Sequence, residues 1–256
     1  MGDVKKHGDL VRENFGSQAE AYVQSALHAA GQDLEMLEKI LAEYPEANFL
    51  DVGTGGGHVS YLAARHVKQV TAYDMSAEML KAVEKTAGER GLSNIVTRQG
   101  AAERLPFEDA SFDVVASRYS AHHWHDVGQG VREISRVLKP GGVLVMMDTA
   151  SPGEPVRDIF LQSVEYLRDM SHVRAYSPGE WLAFVSDAAL RVNELLTLRI
   201  RYDFTSWVTR MKTPGHHVTA IREVLKTAPE EVRTYFQVEA DGSFSIDEVM
   251  LIATRI

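Results

Sequence analysis

The chain contains no cysteine, so neither a disulfide framework nor thiol chemistry can operate in it. No apolar run approaches the roughly 18 residues that span a bilayer, and stable membrane insertion is not expected. The opening Met1-Gly-Asp-Val-Lys-Lys-His-Gly8 has lysines but no apolar stretch behind them, unlike a secretory leader. These absences suit a reducing cytoplasm. Basic residues are few as well. Against 36 acidic residues there are 27 Lys and Arg, a formal net charge of −9, and no cluster of positive charge. The basic face that grips a phosphate backbone is missing, which disfavours nucleic acid as a partner. No internal repeat or low-complexity segment appears.

What is present reads as alternation. Ser17-Gln-Ala-Glu20 has the form of a capping box opening a helix. Apolar residues then recur near a 3.6 period through Ala30, and again at Leu34, Leu37, Ile40 and Leu41. Gly31 divides the two helices. Seven strand-like segments are expected, over 48–52, 69–73, 95–99, 112–117, 143–147, 192–202 and 249–256. The first five alternate with helices over 58–65, about 76–89, and one capped by Asp126 that Pro140-Gly-Gly142 stops. Strands alternating with helices imply βαβ units and a doubly wound, mostly parallel sheet. After Thr149 the rhythm changes to helices over 151–190 and 216–236. One domain over 1–256 is expected: a helical cap (1–45), a cofactor-binding core (46–150), and a lid with the final strands (151–256).

The informative segment is Phe49-Leu-Asp-Val-Gly-Thr-Gly-Gly-Gly-His58. Glycines directly after a strand let backbone approach a ligand, and the following helix start offers free N–H groups. The next strand ends at Asp74, where an acid can accept both ribose hydroxyls of a nucleoside. Dinucleotide sites with this plan carry GxGxxG, whose third glycine would fall at His58. The pattern Gly53-x-Gly55-x-Gly57 favours a ligand without a pyrophosphate. A nicotinamide oxidoreductase on a similar sheet and a non-catalytic nucleoside-binding protein remain as alternatives.

Five motifs follow in order: Leu50-Asp-Val-Gly-Thr-Gly-Gly-Gly57, Ala72-Tyr-Asp-Met-Ser76, Gly100-Ala-Ala-Glu-Arg-Leu-Pro-Phe107, Phe112-Asp-Val-Val115 and Arg136-Val-Leu-Lys-Pro-Gly-Gly142. They resemble the class I S-adenosylmethionine methyltransferases, in the branch that includes the ubiquinone/menaquinone biosynthesis enzymes. The resemblance covers residues 45–150, and Asn14-Phe-Gly with Ala19 and Tyr22 resembles that branch's N-terminal helix. It implies a Rossmann-like α/β fold, S-adenosylmethionine as cofactor with S-adenosylhomocysteine as product, and O- or C-methylation of a small-molecule acceptor. Gly53, Gly55 and Gly57 would pack against the methionyl part, with Asp51 near its amino group. Asp74 would hold the ribose and Met75 would lie against the adenine. Tyr22 joins this cofactor set, and Ser117 and Arg118 would face the methionyl end. Where the family carries an acid for the adenine amino group this chain has Ala101, so backbone near Ala102 must serve.

Two further groups could touch an acceptor. Tyr119-Ser-Ala-His-His-Trp-His-Asp126 follows the fourth strand, at the strand ends where such sheets bind ligands. Adjacent histidines rarely converge on one ion and no HxxxH spacing exists, so no metal is expected. His122 or His123 would face the acceptor as a catalytic base, while His125 is solvated. His172, Arg174 and Trp181 form the second group, expected on a lid over the acceptor. A homodimer is left open.

Overall fold

The computed structural model describes residues 6–16 and 31–256. Among them a seven-stranded sheet runs in the order β3-β2-β1-β4-β5-β7-β6. The strands are β1 (Asn48–Val52), β2 (Gln69–Asp74), β3 (Ile95–Gln99), β4 (Phe112–Arg118), β5 (Leu138–Ala150), β6 (Leu190–Tyr202) and β7 (Phe244–Arg255). The first five are parallel, and β7 lies antiparallel between β5 and β6. The order reverses at β1 and β4, where open α/β sheets place their ligands.

Alternate residues of the central strands belong to opposite cores. Leu50, Val115 and Leu144 pack on one face, while Phe49, Val114 and Val145 pack on the other. Burial on both faces explains why these strands read as short apolar runs rather than polar–apolar alternations. Helices α2 (Gln32–Leu41), α3 (His58–Ala63) and α4 (Ala77–Glu89) cover one face. Helices α5 (Val127–Val137) and α7 (Pro178–Asp187) cover the other. A separate core, built on Phe160, Trp207 and Phe236, joins α6 (Pro155–Arg168) to α8 (Phe204–Arg210), α9 (Gly215–Thr227) and α10 (Glu230–Tyr235).

The Asp126 cap acts as expected, and two serines cap helices of their own. Ser76 accepts from Met79 N–H, Asp126 accepts from Gln129 N–H, and Ser177 with Glu180 forms a complete capping box. Four boundaries differ. Pro140-Gly-Gly142 does not separate helix from strand, because β5 begins at Leu138, opposite Phe112. The ladder then slips and resumes at Val114–Val143, so Lys139 to Gly142 form a bulge with Gly141 at φ 78°. Residues 169–177 interrupt the expected helical stretch of 151–190, and Pro229 divides the one over 216–236. Helix α1 (His7–Gly16) precedes the expected start of helix. The Ser17–Glu20 capping box, the helix behind it and Tyr22 lie outside the described residues.

Candidate active site

The C-terminal ends of β1, β2 and β4 open onto a cavity of about 570 Å³. The turn after β1 builds its floor. Gly53 and Gly55 sit at φ 75° and 49°, in the left-handed region that costs other residues a steric penalty. A Cβ on Gly53 would lie 1.8 Å from Ser120 Oγ, whereas the space beside Gly55 is open. Gly57 has a different role. It is the left-handed N-cap of α3, and a Cβ there would strike the Tyr61 ring at 2.6 Å. It packs the helix start instead of lining the cavity.

Two carboxyls face this space. Asp51 is buried, with Ser60 Oγ donating to it at 2.7 Å. Burial pushes its carboxyl up to about 6, helped by the charge of Asp74 and opposed by the Ser60 and Thr54 hydroxyls. Asp74 accepts Gly55 N–H (2.9 Å) and Ser76 N–H (2.8 Å), and burial raises its carboxyl too. Two desolvated acids beside one cavity make a strongly negative site. A ligand with cationic groups and hydroxyl donors would relieve it.

Met75, Ala101 and Ala102 line the same cavity, together with Met79 and Glu103. Tyr73 Oη donates to the Ala101 carbonyl (3.0 Å), which sets the shape of the 100–104 turn. Glu103 accepts His125 N–H at 2.7 Å and so ties that turn to the histidine loop. Helix α1 closes the cavity from the N-terminal side through His7, Gly8 and Val11, and His7 Nε2 donates to the His123 carbonyl (3.0 Å).

Beyond β4, Arg118 also reaches the cavity, but its guanidinium is held in a buried ion pair with Asp33 of α2. Ser117 turns away from it and donates to the Val52 carbonyl (2.7 Å), joining two strand tips. Tyr119 follows in the left-handed region (φ 49°) and lines the cavity. Backbone held there at a strand tip is a familiar mark of a ligand site.

The histidines separate in role. His123 lines the cavity and His122 does not, although their ring centroids are 4.1 Å apart. His122 Nδ1 donates to Asp148 Oδ1 at 2.5 Å, which leaves the ring's lone pair on Nε2. Burial opposes its protonation, but the Asp148 carboxylate outweighs that and raises its pKa. His123 Nδ1 donates to the Ser171 carbonyl (3.1 Å). Burial and the adjacent His122 charge lower its pKa to about 4, so it is neutral near pH 7. His125 is exposed, as expected.

The three lid residues are not brought to the cavity. Trp181 is fully buried against Tyr176 and Phe184, because α7 packs it into the sheet's core. Arg174 is held between Asp158 and Glu180. His172 is buried behind His122, at 5.6 Å between ring centroids, with Nε2 on Gln162 and Nδ1 lacking a hydrogen bond. These are corrections to the expected acceptor contacts. Conversely, Asp148 was not anticipated. The signal was available, since it is an acid ending the apolar run Val143 to Met147. His7 and Val11 carried no signal, because Gly8 and Asp9 weaken the helical pattern around them. No group of side chains among the described residues could hold a metal ion, and none of their helices is long and apolar enough to cross a membrane.

Sheet order, glycine turn and acid together define an α/β protein of the Rossmann-like kind with a cavity at the switch point of its sheet. The comparisons narrow this further. Residues 50–146 match the methyltransferase domain family model. The uncharacterized protein YafE of Escherichia coli is 54% identical over 203 residues, spanning 79% of this chain and 98% of that protein. The uncharacterized methyltransferase YcgJ of Bacillus subtilis is 36% identical over 87% of this chain and 88% of its own. The crystal structure of YcgJ superposes with a TM-score of 0.81 at 35% identity, covering 87% of this chain and 97% of that one. The demethylmenaquinone methyltransferase of Chlorobaculum parvum is 40% identical, over 43% of this chain and 44% of its own. The chain belongs to the S-adenosylmethionine-dependent methyltransferase family.

Proposed function

We propose that this enzyme binds S-adenosylmethionine in the 570 Å³ cavity and transfers its methyl group to an oxygen or carbon of a small-molecule acceptor. The observation that carries this reading is the pair of desolvated carboxyls, Asp51 and Asp74, on either side of the Gly53–Gly55 turn. The cofactor's ammonium and sulfonium charges and its two ribose hydroxyls suit them. Asp74 would accept the ribose hydroxyls and Asp51 would face the ammonium. Arg118, steadied by Asp33, would meet the carboxylate. Met75 and the backbone at Ala101 and Ala102 would hold the adenine.

When bound, S-adenosylmethionine supplies a methyl group on an already activated sulfonium, so the protein's main task is alignment in a water-poor cavity. An enol, phenol or carbon acid must also lose a proton. His123 is the ring that faces the cavity. Neutral near pH 7, it would accept that proton, and His122, fixed in one tautomer by Asp148, packs against it. The negative charge of the chain and the absence of a basic cluster support a small acceptor over nucleic acid.

The test is transfer of label from S-adenosyl-[methyl-³H]methionine in a desalted lysate supplemented with a small-molecule extract. Label is expected in the low-mass fraction, dependent on the extract. Label confined to protein or nucleic acid would overturn the assignment.

A further inference from the structure

The outer surface of α6 is unusual for a helix facing water. Every exposed residue in it is apolar: Pro155, Val156, Ile159 and Tyr166, with Ile159 64% exposed. Its charges are held within the chain. Arg157 pairs with Glu154, Arg168 with Glu165, and Asp158 with Arg174. The inner side, Phe160, Leu161 and Val164, is core. A helix apolar on both sides is ordinarily covered on both.

The spacing identifies what covers it. Val156, Ile159, Ser163 and Tyr166 follow at steps of three, four and three, the seam spacing of a helix pair. An antiparallel helix of the same sequence sets Val156 opposite Tyr166 and Ile159 opposite Ser163. The largest protrusion then meets the smallest residue of the seam. Beside Val156 and Ser163, a groove of about 350 Å³ opens toward α9 and α10, giving room for the bulky Tyr166 ring. Such self-complementarity is what a two-fold interface requires. Charge permits the same occupant. Two chains of net charge −9 repel over most of their surface. Along this seam each charge is already neutralised within its own chain, so like faces meet without facing like charge.

We propose that the protein pairs with a second copy of itself through α6, antiparallel across a two-fold axis between Ile159 and Ser163. The absence of cysteine makes this directly testable. At the 8–10 Å usual between packed helices, facing Cα atoms fall within the roughly 4–7 Å a disulfide needs. Ile159→Cys and Ser163→Cys proteins, mixed and oxidised, should form a covalent dimer faster than either does alone. Light scattering of the wild type at tens of micromolar should give twice the chain mass. Ile159→Asp should weaken pairing at least a hundredfold, with folding checked by circular dichroism. If that variant misfolds, the conservative cysteine pair still decides the matter. A monomeric wild type, a dimer that a folded Ile159→Asp leaves intact, or a mixture that cross-links no faster than its components would each overturn the proposal.

Discussion

Ala101 and the two histidines carry the sharpest consequences for single side chains. Ala101 lines the cavity where relatives of the resembled branch place an acid, and its own carbonyl is occupied by Tyr73. Ala101→Asp should therefore tighten S-adenosylmethionine binding by roughly fivefold, about 1 kcal/mol, the net worth of one added hydrogen bond. Titration calorimetry reads this, and weaker binding would mean that the adenine does not lie at this turn. His122 leads to a pH prediction. Its pKa is raised by Asp148, so turnover should fall as pH drops through a value above 6.5, where Nε2 becomes protonated. Replacing His122 with Ala should remove that inflection and lower turnover, because His122 packs against the cavity-facing ring of His123 and its charge opposes proton uptake there. Asp148→Asn should move the inflection to lower pH. A pH–rate profile unchanged in both variants would assign the pair a structural role only. Sequence alone placed a histidine here but could not choose between neighbours, because the choice depends on Asp148, 26 residues away.

At the scale of elements, β7 holds a charge that its surroundings disfavour. Glu248 is buried, with both carboxylate oxygens enclosed. Burial and the charge of Asp33 push it up to about 8, against the pull of Arg118. An acid raised in this way favours the folded state least where the unfolded chain is ionised and the folded one must hold its proton. Stability is therefore lost as pH climbs from the ordinary glutamate value near 4.5 to about 8, and levels off beyond. Glu248→Gln removes the titration. Its melting temperature should exceed the wild type's by a margin that widens from pH 5 to pH 8 and is then constant. A margin independent of pH would show that Glu248 is ionised throughout. The elements themselves were largely legible in the sequence. All seven strands overlap the apolar runs, and Ser76 and Asp126 start their helices. What misled was local chemistry overridden by pairing: Pro140-Gly-Gly142 reads as a stop, yet the sheet accommodates it as a bulge because β4 draws Leu138 into the ladder.

The whole molecule gathers its site from β1, β2, β4 and α1, segments far apart in the chain. That Asp51, Gly55 and Asp74 share one cavity was legible because each follows a strand tip at a recognisable spacing. The placement of Trp181, Arg174 and His172 was not, because residue type alone does not say what packs against a side chain. Only packing showed that the first is core and the second is enclosed by Asp158 and Glu180. The cavity's negative charge has its own consequence. A cationic ligand needs Asp51 ionised, so affinity should fall by up to tenfold per unit as pH drops below about 6. The central claim, that this cavity takes S-adenosylmethionine through Asp74, is tested most directly by titration calorimetry of the wild type and Asp74→Ala at pH 8, with NADH as the competing ligand. S-adenosylmethionine should bind the wild type and NADH should not. Asp74→Ala should weaken binding about ten- to a hundredfold, since hydrogen bonds to a charged group are worth roughly 1.5–3 kcal/mol. Equal affinity in a folded Asp74→Ala protein, or binding of NADH in place of S-adenosylmethionine, would contradict it.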